Sequence, residues 1–248
     1  MLEYQAENDA LKDKVILVTG AGAGIGRTAA LTYAAHGATV ILLGRSTNKL
    51  EAVYDEIVAS GAPEPAIVPL DMKGATEQNY RDLAVTLEEQ FGRLDGLLLN
   101  ASVLGALTPF DQIDSEMFNE VMQVNVTANF LMAKSLMPVL RLAEHGSIVF
   151  TSSGVGRTGR AYWGPYAISK FATEGMMETL ADELAGSTLR ANCINPGATR
   201  TKMRATAFPA EDPQNLKTPE DLMPLYLYLM SDDSVAVNGQ SLDAQPKR

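Results

Sequence analysis

Tyr166 and Lys170 stand four positions apart in the run Gly164-Pro165-Tyr166-Ala167-Ile168-Ser169-Lys170. On a helix that spacing puts both side chains on one face. A phenol ionises near pH 10 and is a poor base at neutral pH. A neighbouring ammonium favours the phenolate, and bringing the phenol to neutrality takes about 4 kcal/mol of differential stabilisation. By itself the pair reads equally well as two solvated residues on a surface helix. Ser153 changes the balance. It lies thirteen positions before Tyr166 and closes the apolar run 148–153 (IVFTSS), which reads as a strand. Strand ends are where α/β sheets bind ligands. A hydroxyl there can hold a carbonyl oxygen while the tyrosine gives or takes a proton.

A second constellation is the turn Thr19-Gly20-Ala21-Gly22-Ala23-Gly24-Ile25-Gly26, with an apolar strand before it and helical periodicity directly after. Glycines in such a turn let backbone approach a pyrophosphate, and the helix N-terminus offers free N–H groups and a positive dipole end. A tight turn alone would also select glycine, but strand, turn, helix and second strand together spell a dinucleotide-binding unit. Sites that prefer NAD usually close the second strand with Asp or Glu for the ribose 2′-hydroxyl. This chain has Leu43-Gly44-Arg45 there. A guanidinium pairs well with a 2′-phosphate, so Arg45 favours NADP(H) over NAD. A solvated arginine opening the next helix would read the same way.

These groups need a scaffold. Apolar runs at 14–19, 38–43, 66–70, 96–100, 147–151, 189–194 and 240–243 read as strands, and most are apolar on both faces. Segments 25–36, 48–60, 77–91, 115–142 and 165–185 are long enough for helices. Strand–helix alternation of this kind predicts a doubly wound α/β fold, a mostly parallel seven-stranded sheet with helices on both faces. The longest irregular stretch, about 196–219, is long enough to be a functional loop. With 20 Lys+Arg against 30 Asp+Glu the net charge is −10, which disfavours nucleic acid as a partner. The single Cys193 cannot form an internal disulfide, and it reads as a small core residue. Two histidines and one cysteine leave little for a metal site, and none is expected. The start of the chain is acidic and polar, unlike a secretory signal, and no apolar run approaches about 18 residues. A cytoplasmic protein is the expectation.

Thr19–Gly26, Asn100-Ala101, Asn125, Ser153, Tyr166/Lys170 and Asn195-Pro196-Gly197 come in the order and spacing of the short-chain dehydrogenase/reductase family, which this chain resembles from about 11 to 243. The stretches 41–45 (ILLGR), 149–160 (VFTSSGVGRTGR), 171–177 (FATEGMM), 192–200 (NCINPGATR) and 224–229 (PLYLYL) look like the bacterial YciK-like oxidoreductase branch. The resemblance implies a single Rossmann domain over 1–248, with about 1–10 as an N-terminal extension and about 198–219 as a substrate loop or lid. It implies a catalytic set of Asn125, Ser153, Tyr166 and Lys170. Tyr166 would be the general acid in reduction and the base in oxidation. Lys170 would bind the nicotinamide ribose, and Asn125 would hold a water linking Lys170 to solvent. Gly20, Ala23, Gly24, Ile25 and Gly26 would cradle the cofactor phosphates, with Arg45 at the 2′-phosphate. Asp71 and the Met72 backbone would meet the adenine, and Asn100 and Ala101 its ribose. Pro196, Gly197, Thr199 and Thr201 would meet the nicotinamide carboxamide, beside Tyr166 and Lys170.

Two departures from the family pattern stand out. Leu99-Asn100-Ala101-Ser102 replaces the usual Asn-Asn-Ala-Gly, so Ser102 adds bulk near the cofactor. Asp243-Ala244-Gln245 replaces the usual Asp-Gly-Gly near the last strand. Arg157, Arg160, Arg200, Lys202 and Arg204 would favour an anionic substrate if they converged over the site. Tyr162 and Trp163 are candidate pocket walls, and in the family the helices around 115–142 and 165–185 pair between subunits as a homodimer or homotetramer. The reading is an NADP(H)-dependent enzyme interconverting a carbonyl and a secondary alcohol. Its rival is a dinucleotide-binding regulatory or interaction protein that turns nothing over, which has no use for a tuned phenol.

Overall fold

Val, Ile and Leu on both faces of short strands suit a sheet covered by helices on each side. The computed structural model describes residues 4–246. Residues 1–3 of the expected N-terminal extension lie outside the described residues. The strands are β1 (Val15–Thr19), β2 (Thr39–Gly44), β3 (Ala66–Pro69), β4 (Gly96–Leu99), β5 (Gly146–Thr151), β6 (Leu189–Asn195) and β7 (Ser241–Asp243). They form one sheet in the order β3-β2-β1-β4-β5-β6-β7, and every neighbouring pair is parallel. The mostly parallel sheet expected from the sequence is parallel throughout.

The helices are α1 (Gly24–Ala35), α2 (Thr47–Ala59), α3 (Glu77–Phe91), α4 (Ser115–Met122), α5 (Ala128–Leu140), α6 (Gly164–Glu183), α7 (Lys202–Ala207) and α8 (Met223–Met230). Alternation along β1 divides the core. Val15 and Leu17 point to a cluster with α3, α5 and α6, whereas Ile16 and Val18 point to one with α1, α2 and α8. Local signals set the helix ends. Thr76 and Asn79 form a capping box before α3, and Gly92 ends that helix in the left-handed region at φ 76°. Pro165 sits in the first turn of α6, where its missing N–H costs nothing.

The structure differs from the sequence reading in four places. The stretch expected to be irregular at about 196–219 contains the short helix α7, which Thr201 caps. The long helix expected at 115–142 is two helices joined by a π-helical turn, Gln123–Thr127, which carries Asn125. Such turns often mark functional sites. The sequence reading assigns no element to 223–230, where α8 lies with six residues buried, Met223, Leu225, Tyr226, Leu227, Leu229 and Met230. A helix apolar nearly all round has no polar stripe to betray its period. Finally, the stretch before β1 is held to the body. Tyr4 packs edge-on against Tyr228 at 5.2 Å and donates to Asp233 at 2.6 Å, and Leu11 is fully buried. Among the described residues no helix is long and apolar enough to cross a membrane.

Candidate active site

The chain leaves β1 toward β2 and β3, then crosses back to β4 on the other side of β1. A crevice opens at such a reversal, outside the carboxyl ends of the strands. Here it is a cleft of about 420 Å³ walled by the glycine turn, the ends of β2, β4 and β5, the start of α6 and the segment after β6.

At the glycine turn, Gly20 and Gly24 have φ of 69° and 55°, a backbone region that residues with a Cβ rarely adopt. A Cβ on Gly26 would overlap the Gly20 carbonyl oxygen, so Gly26 stands behind the wall and lets helix and turn close up. Gly20, Ala23, Gly24 and Ile25 line the cleft. Ala23 caps α1 without any side-chain hydrogen bond, which leaves the first amides of that helix open to an anion. At the end of β2, Arg45 is exposed and lines the cleft together with Ser46 and Lys49, two polar groups the sequence reading did not single out. A turn held open by positive-φ glycines, free helix amides and three side chains able to donate to phosphate oxygens fit a phosphorylated dinucleotide. Asp71 and Met72 line the same end. Asp71 does not cap α3, whose cap is Thr76; its carboxylate accepts from the Lys73 amide in a turn ahead of the helix.

The loop after β4 is pinned from both sides. The Thr19 hydroxyl accepts from the amides of Asn100 and Ala101, at 2.9 Å each, and donates to the Leu98 carbonyl. The Asn100 side chain takes a bond from Thr151 on β5. The Asn125 amide clamps Val103, accepting from its N–H at 2.8 Å and donating to its carbonyl at 2.9 Å. Its second N–H goes to the Ser169 hydroxyl on α6. Both side-chain donors of Asn125 are therefore used, and its oxygen alone has capacity left for a water. Between these pins, Ser102 lines the cleft. Leu99 points into the core instead, 2% exposed.

Tyr166 and Ser153 line the cleft, and Lys170 stands one turn behind Tyr166 on α6. Lys170 Nζ donates to the Thr151 carbonyl at 2.7 Å and lies 5.5 Å from the centre of the tyrosine ring. Burial pushes the Lys170 ammonium down to about 8. Burial also dominates at Tyr166 and pushes the phenol up to about 12, while the hydroxyls of Ser153 and Ser102 act to draw it back. Behind Lys170, the buried Glu174 takes a short bond from Ser152 and lies 3.5 Å from Arg157. Cys193 is fully buried and burial raises its thiol, which makes it a core residue.

A model of the short chain dehydrogenase family matches residues 14–212. The chain belongs to the short-chain dehydrogenase family. It is 54% identical to the uncharacterized oxidoreductase YciK of Escherichia coli (strain K12), over 100% of this chain and 98% of that protein. A short chain dehydrogenase from Pseudomonas syringae superposes with a TM-score of 0.97 at 57% identity, covering 99% of this chain and 100% of the other. A relative from Escherichia coli CFT073, solved as a complex with NADPH, superposes at 0.95 with 54% identity, covering 97% of this chain and 100% of that one.

Against the family pattern, the departures of this dehydrogenase find a use. Gln245 donates to the carbonyls of Pro196 and Ala198 at 2.8 and 3.0 Å, so the altered C-terminal segment still holds the loop after β6. Pro196, Gly197 and Thr199 line the cleft there, and Thr201 lines it while capping α7. The basic residues, however, do not converge. Arg157 pairs with Asp243 at 2.7 Å, and Arg200 donates to the carbonyls of Pro213, Gln214 and Leu216. Arg160 stacks over Trp163 and Phe208, and Arg204 is paired with Glu211 at 2.6 Å. Only Lys202 and Arg204 of the five line the cleft. Trp163 is a wall residue, 5.9 Å from the Tyr166 ring, whereas Tyr162 is 60% exposed at φ 73°.

Proposed function

We propose that this chain is an NADP(H)-dependent oxidoreductase that interconverts a carbonyl and a secondary alcohol. The observation that carries the reading is the meeting of Tyr166 and Ser153 in one cleft, with Lys170 buried behind them and Arg45, Ser46 and Lys49 at the far end. The glycine turn and the amides of α1 hold the phosphates, Asp71 and Met72 the adenine, and Asn100 and Ala101 its ribose. Pro196, Gly197, Thr199 and Thr201 hold the carboxamide end. Lys170 spends one of its three donors on Thr151 and has two left for ribose hydroxyls. When bound, the nicotinamide supplies or takes the hydride.

In reduction, Ser153 donates to the substrate oxygen and Tyr166 gives it a proton. In oxidation, the same phenol oxygen takes the alcohol proton. A phenol is protonated at neutral pH, the form that reduction uses, and burial raises it further, so oxidation needs the phenolate to be stabilised when cofactor and substrate are bound. Segment 198–219 serves as the substrate loop of the single domain, with Trp163 and Met203 as apolar walls. Asp243 and Glu211 neutralise Arg157 and Arg204, which weakens the case for an anionic substrate and leaves Lys202 as the basic group that could still draw one. A buried, unpaired Cys193 suits a reducing cytoplasm.

Titration of the protein with NADPH and NADH tests the cofactor reading. Arg45→Ala is expected to weaken NADPH about ten- to a hundredfold, as loss of a charge-assisted phosphate bond should, and to leave NADH nearly unchanged. Equal affinity of the wild type for both would remove Arg45 from the site. The same reading includes a homodimer or homotetramer built on α5 and α6. A hollow between those helices is lined by Phe130, Met137, Met176 and Leu180, with Phe130 52% exposed. Phe130→Glu is expected to lower the assembly state in analytical ultracentrifugation, and a wild-type protein sedimenting as a monomer would end that part of the reading.

A further inference from the structure

The edge strand β7 is short, yet it holds the loop after β6. Asp243 accepts from Asn195 Nδ2 at 2.8 Å, and Asn195 Oδ1 in turn accepts from the Gly197 amide at 3.2 Å. Gln245, just past the strand, donates to the carbonyls of Pro196 and Ala198. A strand this short has few ladder bonds of its own, and Arg157 grips it from the side. The guanidinium donates to Ser241 through Nε at 3.2 Å and Nη2 at 2.6 Å, and to Asp243 through Nη1 at 2.7 Å. Those are the first and last residues of β7. Another edge of Arg157 faces α6. There Nε lies 3.5 Å from the carboxylate of Glu174, which also accepts from the Ser152 hydroxyl. The turn from Ser153 to Arg157 is closed by the Gly156 amide on the Ser153 carbonyl at 2.9 Å. It lies so near α6 that a Cβ on Gly156 would stand 2.8 Å from the Lys170 carbonyl oxygen.

We infer that Arg157 is a positioning residue that ties the turn carrying Ser153, and the helix carrying Tyr166 and Lys170, to the loop that meets the nicotinamide. The inference rests on the reading of Pro196, Gly197, Thr199 and Thr201 as the nicotinamide end of the site. An exposed ion pair by itself is worth little. This guanidinium is a planar fork that serves two residues of β7 while it meets a carboxylate only 10% exposed. The fork also fixes the direction of the amide beyond it. A carboxylate only accepts, so Asp243, held by Arg157, takes Nδ2 of Asn195 and turns the Asn195 oxygen to the Gly197 amide. Without Arg157, Asp243 is free to turn to water, and Asn195 loses the partner that orients it. Gly197, at φ 70° on the cleft wall, then loses a fixed acceptor. Arg157 thus acts on the cofactor through Asp243 and Asn195 and touches nothing that reacts.

Two ligands separate the ends of the cleft in a calorimetric titration. NADPH spans both ends, whereas 2′,5′-ADP carries only the adenosine and phosphates and has no nicotinamide. Removing Arg157 alone would leave Glu174 buried without its ion pair, so Arg157→Met is combined with Glu174→Gln. Asp243→Ala, at an exposed position, cuts the same link from the other side and leaves Arg157 and Glu174 in place. Each variant is expected to weaken NADPH about tenfold, the worth of one charge-assisted bond, and to change 2′,5′-ADP by less than about twofold. All three substitutions together are expected to weaken NADPH by about tenfold as well, not by about a hundredfold, because they interrupt one chain of contacts. Equal losses for the two ligands would make the network structural only and overturn the inference. So would unchanged NADPH affinity, or a loss of about a hundredfold in the combined variant. A wild type that binds neither ligand would end the cofactor reading, and the inference with it.

Discussion

Tyr166→Phe is expected to lower kcat by about 10²–10⁴-fold in either direction, the usual worth of a positioned proton donor. The substitution removes one oxygen from a buried ring that packs edge-on against Trp163 at 5.9 Å, so the fold and the cleft wall persist. NADPH affinity is expected to change by no more than about threefold, because the groups proposed to hold the phosphates lie at the other end of the cleft. That split, lost turnover with retained binding, is what distinguishes a reacting group from a structural one. Stopped-flow or steady-state oxidation of NADPH against a panel of ketones and aldehydes reads it. Near wild-type turnover by the variant would return the chain to the rival class, a binder of dinucleotides with no chemistry at this phenol.

Lys170→Met is expected to cost at least about a hundredfold in turnover while making the protein more stable. The lysine is 2% exposed and ionises at about 8, against 10.5 for the free side chain. The native state thus binds this proton less tightly than the unfolded chain. The penalty is fully present below about pH 8 and is relieved as pH rises from about 8 to 10.5, so this group makes stability climb through that window. The gap corresponds to about 3 kcal/mol at pH 7. Loss of the bond to the Thr151 carbonyl returns about 1 kcal/mol of that, so the methionine variant is expected to be about 2 kcal/mol more stable in urea at pH 7. Its advantage should vanish by about pH 10.5. Wild-type reduction should decline through the same window, because the ammonium proposed to hold the ribose is lost as stability rises. A variant no more stable than wild type at pH 7 would mean that the buried ammonium is better satisfied than its single protein partner indicates.

Much of this site is legible in local sequence. A glycine that must adopt positive φ, as Gly20 and Gly24 do, announces itself by residue type. The four-residue spacing of Tyr166 and Lys170 is a helical fact wherever the helix sits. Apolar runs without alternation report strands covered on both faces, and Arg45 in place of an acid needs only its position at the end of β2. Other features depend on which segments meet. Arg157 looks like a free cation until β7 brings Asp243 to it, 86 positions away. Gln245 looks like a lost glycine until it reaches the carbonyls of Pro196 and Ala198. Asn125 reads as a water holder by position, and only the folded chain shows that its amide also ties the loop after β4 to α6. α8 escapes notice because burial on nearly all sides erases its period. The state of Tyr166 is decided the same way. Sequence alone names a lysine nearby; the burial that raises the phenol follows only from what packs around it. Residue type and spacing determine what chemistry is on offer; the packing of distant segments decides which charges stay free, which hydroxyls face each other and how far water is excluded. Those are the quantities that set a proton's affinity, and no local pattern contains them.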